Sequence, residues 1–323
     1  MTDPVSILPD LPPRAARLIG QLDSGEVLGA SRQLHLIGEA LIALTEDYHG
    51  RQPALPFVVN NLIDHLVATR GASSQAIPNG LRLMLGTEMR DIKEPGELRH
   101  MIVTGVDAFR QKLGQWLRDV EHHGVSLLRT AQCVLVYDYS SSVAALVREA
   151  ARPDLDLTVV IPEARSLDGG RKYLDDWEGL PLRMHMIPDA AIAWALRDAD
   201  IVLVGAETLT LEGGCYNTIG TNLVARIAAQ EGVPFYVASI LLKADPTGGI
   251  GAGRAVPMLN FLHSFSWDES SPASTTVNFS FPDLDYTPPT LVTGLATELG
   301  VLKPSDLRAA INETLSPGGT DAR

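Results

Sequence analysis

Cysteine is scarce in this chain: its 323 residues include two, Cys133 and Cys215. Two cysteines cannot form the disulfide framework of a small secreted domain, so we expect a protein of the reducing cytoplasm. The sequence also lacks any apolar stretch of the roughly 18 to 20 residues that a membrane helix needs. Its first residues, Met1-Thr2-Asp3-Pro4, show no basic and apolar leader. We therefore expect a cytoplasmic protein with no membrane partner.

Runs of basic residues are absent as well. The chain has 26 Lys and Arg against 39 Asp and Glu, which gives a net charge of −13. An acidic protein without a basic patch has no electrostatic attraction to a phosphate backbone, so we expect no direct nucleic-acid partner. Hydrophobic residues make up 45% of the chain, enough to bury the cores of two domains.

Familiar cofactor and nucleophile motifs are also missing. Residues 248–253 approach the spacing of a phosphate-binding P-loop, but Arg254-Ala255 stands where that loop needs Lys-Ser or Lys-Thr. The sequence contains no Gly-x-Ser-x-Gly elbow and no His at metal-ligand spacing. We therefore predict neither a metal nor a cofactor.

The hydrophobic pattern changes near residue 130. Before it, apolar residues recur at helical spacing, as at Leu113, Trp116, Leu117 and Val120, which predicts a helical domain over residues 1–129. After it, short apolar runs alternate with helical segments, which is typical of βαβ units in a mostly parallel sheet. The predicted fold class is therefore α/β, with the sheet in a domain over residues 130–323. The predicted strands are 133–137, 157–161, 182–187, 201–204 and 235–238, and two of the predicted helices are 143–151 and 190–197.

Polar turns follow two of the predicted strands. Gly205-Ala206-Glu207 and residues 213–221 come after the strand 201–204, and ligands of open α/β sheets bind where loops leave the carboxyl ends of strands. Ser140 and Ser141 lie at a strand-to-helix junction, where backbone amides and the helix dipole favour an anion. Plain capping of the helix is the alternative. Residues 220–222 open a further helix in the same way.

Five motifs in a fixed order resemble those of one superfamily. They are Tyr-Asp-Tyr-Ser-Ser at 137–141, Pro-Glu-Ala-Arg at 162–165, Gly-Ala-Glu at 205–207, Asn-Thr-Ile-Gly-Thr at 217–221 and the run 285–305. This superfamily joins the α, β and δ subunits of translation initiation factor 2B with isomerases of methylthioribose 1-phosphate and ribose 1,5-bisphosphate. The resemblance covers nearly the whole chain and implies a helical N-terminal domain, a Rossmann-like C-terminal domain, a site in the cleft between them, and a homodimer formed through the C-terminal domain. A C-terminal run of apolar residues offers a surface for such a dimer, and the alternative is that it packs in the domain's own core. Its members are Leu291, Val292, Leu295 and Leu299.

Several positions depart from the isomerase pattern. Where the resemblance implies a catalytic Cys and Asp, this chain has Tyr139 and Glu207; Thr218 replaces a Lys, and Leu28 replaces a phosphate-binding Arg. The Tyr-x-Tyr-Ser and Gly-Ala-Glu forms look like the α subunit of factor 2B. The resemblance therefore favours a regulatory protein that binds a phosphorylated sugar or nucleotide-like metabolite. The alternative is an aldose-1-phosphate to ketose-1-phosphate isomerase with altered catalytic groups.

Acid–base chemistry in such an isomerase would fall to Glu207 together with Asp138 or Cys215. Proton transfer needs two groups in opposite protonation states, and two nearby carboxylates in a low dielectric raise the pKa of one of them. The alternative for Cys215 is a small buried filler. The remaining candidates are binding residues. Arg51 and Arg165 carry guanidinium groups, which suit phosphate. The others are Tyr139, Ser140, Ser141, Asn217 and Thr218.

Overall fold

The computed structural model describes residues 11–24, 27, 29–51, 54–72, 74–153, 155–248, 255–260 and 278–315. The chain divides into two compact units, Met1–Trp116 and Leu117–Arg323. The division falls within one long helix, α5 (Pro95–Gly124), which continues the helical pattern of the sequence almost to residue 130.

The first unit is helical, as predicted. Its other helices are α1 (Pro13–Asp23), α2 (Ala30–Asp47), α3 (Leu55–Thr69) and α4 (Ala76–Leu85). In α1, proline occupies the first helical position, where the missing N–H has no intrahelical partner to lose. The apolar side chains of α1 at three- and four-residue spacing are buried, and α1 packs against α2. In α5 the predicted stripe is buried at Leu113, Trp116 and Val120.

The second unit is built on a seven-stranded sheet in the order β12-β11-β7-β4-β1-β2-β3. Its strands are β1 (Cys133–Tyr137), β2 (Thr158–Pro162), β3 (Arg183–Ile187), β4 (Ile201–Val204), β7 (Phe235–Ala238), β11 (Gly294–Thr297) and β12 (Gly300–Leu302). All neighbouring strands are parallel except β12, which runs antiparallel to β11. The mostly parallel sheet predicted from the sequence is therefore confirmed.

Among the described residues, four α-helices lie between these strands in the chain, and a fifth follows the last strand. They are α6 (Ser141–Ala150), α7 (Arg171–Asp176), α8 (Ile192–Ala195), α9 (Thr221–Glu231) and, after β12, α10 (Leu307–Leu315). On one face of the sheet, Val134 and Val136 of β1 belong to a core with α6 and α7. In that core the rings of Tyr173 and Trp177 stack at a centroid distance of 4.3 Å. The carboxyl ends of β1 and β4, two neighbouring strands, thus lie beside the start of α6.

The segment predicted as a polar turn after β4 is in part a hairpin. β5 (Thr208–Leu209) and β6 (Cys215–Thr218) pair antiparallel, and β6 also pairs with β10 (Leu284–Thr287). Because β10 follows β6 only after more than sixty residues, a local pattern could not reveal this sheet. A further antiparallel pair is formed by β8 (Met258–Asn260) and β9 (Ser280–Pro282). Of the segment 248–253, which approaches the spacing of a P-loop, residues 249–253 lie outside the described residues.

Candidate active site

Asp138 is the first residue after β1, and its backbone adopts a left-handed conformation with φ of 54°. Aspartate tolerates this region better than most residues, yet strained backbone of this kind concentrates at functional sites. The hydroxyl of Thr218 on β6 donates to Asp138 Oδ2 at 2.6 Å. Burial raises the pKa of Asp138 to about 6, against the opposing effect of the Thr218 hydrogen bond. Asp138 is therefore poised to exchange a proton close to neutral pH.

Glu207 lies in the turn after β4, the strand beside β1. Its backbone N–H donates to the carbonyl of Tyr216 at 2.9 Å, which fixes the turn on β6. The charge of Glu207 raises the pKa of Asp138 and also that of Asp283, whose pKa is raised first by burial. The two carboxylates named from the sequence, Asp138 and Glu207, are thus electrostatically coupled, and Asp283 is a third member that the sequence reasoning missed. Burial contributes more than the neighbouring charge to the raised pKa of Asp138.

The start of α6 lies against the Glu207 turn. A Cβ added to Gly205 would be 2.6 Å from Ser140 Oγ, so the close approach of the two segments requires glycine. Ser140 is the N-cap of α6, and its hydroxyl accepts from Val143 N at 3.4 Å. Its side chain therefore has the capping role that the sequence left open. Ser141 is exposed in the first turn of the helix, where backbone amides lack intrahelical partners.

The second predicted anion site, at the start of α9, is occupied by the protein itself. The Asp285 carboxylate accepts from Gly220 N at 2.8 Å and from Asn222 N at 3.1 Å. A carboxylate at a helix N-terminus satisfies the same amides and dipole that a phosphate would. We therefore correct the expectation that residues 220–222 hold a ligand phosphate.

The alternation of β6 separates the remaining candidates on that strand. Thr218 points to Asp138, so Cys215 and Asn217, three and one residues before it, both lie on the opposite face of the strand. Asn217 Nδ2 donates to Thr221 Oγ1 at 3.1 Å, inside the hairpin and α9. Cys215 is completely buried, and burial raises its pKa to about 12, with the charge of Asp285 as the next cause. The thiol stays protonated at neutral pH, which does not support its predicted role as a base.

Tyr139, which stands where the resemblance implies a cysteine, is engaged in the core. Its hydroxyl donates to Asp176 Oδ2 on α7 at 2.7 Å. The ammonium of Lys172 lies 4.0 Å from the centre of its ring, which is a cation–π contact. These contacts give Tyr139 a packing role whether or not it also touches a ligand.

The two candidate arginines are placed differently. Arg165 follows β2, and its Nη1 lies 3.5 Å from Glu163 Oε2. It also lines a cavity of about 500 Å³ with apolar walls that include Ile192, Leu223 and Phe281. Arg51 belongs to the first unit and is exposed. Leu28, at the position where the resemblance implies a phosphate-binding Arg, lies outside the described residues.

Lys243 is a site residue that the sequence analysis missed. It ends a short 3₁₀ turn, Leu241–Lys243, after β7, and its Nζ donates to the carbonyl of Ala206 at 2.5 Å. This contact puts an ammonium group next to Glu207, in a chain that has lost the lysine expected at position 218. The available signal was a single lysine within an otherwise apolar segment at the carboxyl end of a predicted strand.

Within the described residues, no group of three or more His, Cys, Asp or Glu side chains is arranged to hold a metal ion. None of the helices described is both long enough and apolar enough to cross a membrane.

Comparison with known proteins gives concordant matches over most of the chain. A ribose 1,5-bisphosphate isomerase from Haloterrigena turkmenica is 25% identical over 316 residues, covering 94% of this chain and 95% of its own. The crystal structure of translation initiation factor eIF-2B from Pyrococcus horikoshii OT3 has a TM-score of 0.77 at 22% identity and covers 91% of this chain and 98% of its own. That of 5-methylthioribose 1-phosphate isomerase from the same organism has a TM-score of 0.75 at 19% identity, covering 93% and 88%. The pattern described as the initiation factor 2 subunit family matches residues 32–304. The chain therefore belongs to the initiation factor 2 subunit family.

Proposed function

We propose that this protein is a sugar-phosphate isomerase that converts an aldose 1-phosphate into a ketose 1-phosphate. The observation that carries the proposal is the coupling of Asp138 and Glu207 at the carboxyl ends of the neighbouring strands β1 and β4. Active sites are places where burial and like charges shift the pKa of a carboxyl group toward neutrality. The names of the similar proteins support this alternative more than the regulatory protein favoured by the motif forms alone.

The reaction requires a proton donor and a proton acceptor. The phosphate on O1 prevents the sugar ring from opening as a free hemiacetal does, so the ring oxygen must gain a proton as its bond to C1 breaks. We assign this donation to Asp138, because a pKa of about 6 leaves part of the population protonated near neutral pH. Glu207 removes the proton from C2, and a C1–C2 double bond forms.

The second half of the reaction restores both side chains. Protonated Glu207 returns its proton to C1, and the hydroxyl on C2 gives its proton to Asp138 as the C2 carbonyl forms. The product is a ketose 1-phosphate, with every proton accounted for and no net change in either carboxyl group. Thr218 stabilises the ionised form of Asp138 during the cycle by donating to Oδ2.

Phosphate binding in this proposal falls to the start of α6 and to Lys243. Ser141 contributes an amide in the first turn of α6, and the helix dipole favours an anion there. Lys243 supplies a full positive charge beside the Glu207 turn. Arg165 and Tyr139 stay in the proposal as predicted ligand contacts, whereas the Asn217 amide is engaged by Thr221. Since Gly205 packs against Ser140, the anion site and the carboxylates adjoin.

Turnover tests the proposal directly. Wild-type protein is incubated with ribose 1,5-bisphosphate and with 5-methylthioribose 1-phosphate, and NMR follows the appearance of a ketose. We expect one of the two to be converted. Glu207→Gln removes the base while keeping shape, so turnover should vanish and binding persist. Glu212→Gln is the matched control, because Glu212 is exposed in the same hairpin and pairs with Arg308.

Binding without turnover would instead favour the regulatory alternative. In that case a sugar phosphate raises the unfolding temperature of the wild type, because a ligand that binds only the native state stabilises it, yet no ketose forms. Arg165→Ala tests the predicted phosphate contact in either case. Losing a charged donor should weaken the affinity measured by calorimetry at least about tenfold. The control is Arg183→Ala. Arg183 lies on the edge strand β3, where its guanidinium pairs with Asp156.

A further inference from the structure

Glu298 is a buried carboxylate outside the proposed catalytic group. It follows β11 and is 5% exposed. Its two oxygens lie 3.1 Å and 3.0 Å from the backbone nitrogen of Leu241, which donates to the carboxylate. Burying a carboxylate is costly unless hydrogen bonds compensate for lost hydration. Its position is therefore fixed by the first residue of the turn Leu241–Lys243.

That turn is joined to the segment that carries Glu207. Lys243 Nζ donates to the carbonyl of Ala206, the residue before Glu207. Asp245 N donates to the carbonyl of Leu209 at 3.0 Å, and Ala244 forms a parallel bridge with Leu209. Successive contacts thus hold the segment 241–245 beside the segment 206–209. Glu298 accepts the hydrogen bond of Leu241, which begins the segment 241–245.

We propose that Glu298 is a positioning residue of the candidate active site, which fixes the Leu241–Lys243 turn and thereby the placement of Lys243 and Glu207. The inference rests on the proposed role of Glu207. Glu298 acts through the turn and through Lys243, and it contacts no substrate. Replacing it changes the position of groups that react or bind, and a displacement on the order of 1 Å in such groups is enough to slow catalysis greatly.

The protonation of Glu298 should influence this arrangement. Burial raises its pKa to about 7; the hydrogen bond from Leu241 lowers it, and the charge of Asp119 on α5 raises it. The ionised form accepts the Leu241 N–H more strongly than the neutral acid does. The charged or titratable groups on the elements around it are Asp119 and His123 of α5, Lys243 of the turn, and Arg308 and Glu313 of α10, which packs against that turn. His123 Nδ1 lies 3.0 Å from the carbonyl of Thr297, the residue before Glu298.

The test compares two substitutions at this position in the full chain. Glu298→Ala removes the acceptor and should lower kcat about tenfold or more, because Glu207 is displaced, and should also raise KM, because Lys243 moves with the turn. Glu298→Gln keeps an oxygen that can accept from Leu241, so it should restore most of kcat. It should also abolish the part of the kcat–pH profile that titrates near 7. Glu313→Gln changes an exposed residue of α10 and should have the same kcat, KM and pH profile as the wild type.

A second readout does not depend on turnover. In protein with ¹³C-labelled lysine, the chemical shift of the Lys243 side chain should follow the ionisation of Glu298, with a midpoint near 7 in the wild type and no such change in Glu298→Gln. Should the signal titrate while no sugar phosphate is converted, the proposed function fails and the positioning role stands. Should turnover depend on Glu207 while kcat, the pH profile and the Lys243 signal are unchanged in folded Glu298→Gln, the positioning role is wrong.

Discussion

Thr218 donates a hydrogen bond of 2.6 Å to Asp138 across 80 residues of sequence. The contact joins the hairpin strand β6 to the end of the central strand β1 and orients the carboxylate within the candidate site. It also opposes the effect of burial on the pKa of Asp138. Thr218, which the sequence analysis named as a binding residue in place of a lysine, thus has a defined electrostatic effect on Asp138.

Removing this hydrogen bond should raise the pKa of Asp138. Thr218→Val keeps the shape of the side chain but cannot donate, so the ionised carboxylate loses a stabilising partner. We expect the carboxyl carbon of Asp138, observed by NMR, to titrate above the wild-type value of about 6. The alkaline limb of the activity profile, where the acid Asp138 loses its proton, should move to higher pH with it. Thr104→Val, at an exposed position of α5, is the control. A fall in the pKa would contradict the assignment.

The stability of the folded protein should decrease as pH rises toward 7. Glu298 has a pKa of about 7 in the folded state against 4.5 as its ordinary value, so the folded state binds its proton more tightly than the unfolded chain. Its favourable contribution is present below about pH 4.5 and is lost as pH rises through 7, on the order of 3 kcal/mol in total. Denaturant unfolding from pH 5 to 8 should show a smaller decrease in Glu298→Gln. An equal decrease in both proteins would show that Glu298 is not the source.

Cys215 should be dispensable for chemistry. Its pKa of about 12 keeps it protonated, and it is completely buried. Cys215→Ala should cost about 1 kcal/mol of unfolding free energy, because one small buried group is removed, and should leave turnover per folded molecule unchanged. Cys133→Ala, at a half-buried position of β1, provides the comparison. Loss of turnover in correctly folded Cys215→Ala would restore this residue to the catalytic group.

The protein should be a dimer or larger in solution. Of the apolar residues that the sequence offered as a dimer surface, Val292 and Leu295 are buried within their own unit, whereas Leu299 is 46% exposed. Val301 on the edge strand β12 is 40% exposed beside it. Light scattering at micromolar concentration should give at least twice the 34.7 kDa of one chain. Replacing Leu299 and Val301 together by Ser should shift the mass toward the monomer, while Phe57→Ser, in the first unit, should not. A wild-type mass equal to that of one chain would show that the prediction is wrong.

Local sequence was sufficient for the framework of the second unit. The predicted strands 133–137, 201–204 and 235–238 have the bounds of β1, β4 and β7, because short apolar runs between polar residues are typical of strands buried on both faces of a parallel sheet. The predicted helix 190–197 was too long: a 3₁₀ turn precedes α8, which covers four residues. Asp138 and Glu207 could be named in advance, since Asp138 directly follows one recognisable strand and Glu207 lies in the short turn after another.

Tertiary structure alone decided which polar groups have partners. Asp285 fills the N-terminus of α9, Lys243 reaches the Ala206 carbonyl, and Thr218 reaches Asp138, each across a long stretch of chain. Hydrophobic periodicity reports which side chains leave water, and it is a local property of the sequence. A hydrogen bond depends on the distance and direction between two groups, which exist only once the strands have paired and the loops have closed. The sequence by itself therefore determined the strands and the ends at which a site could form, and the folded chain determined which of those groups can act together.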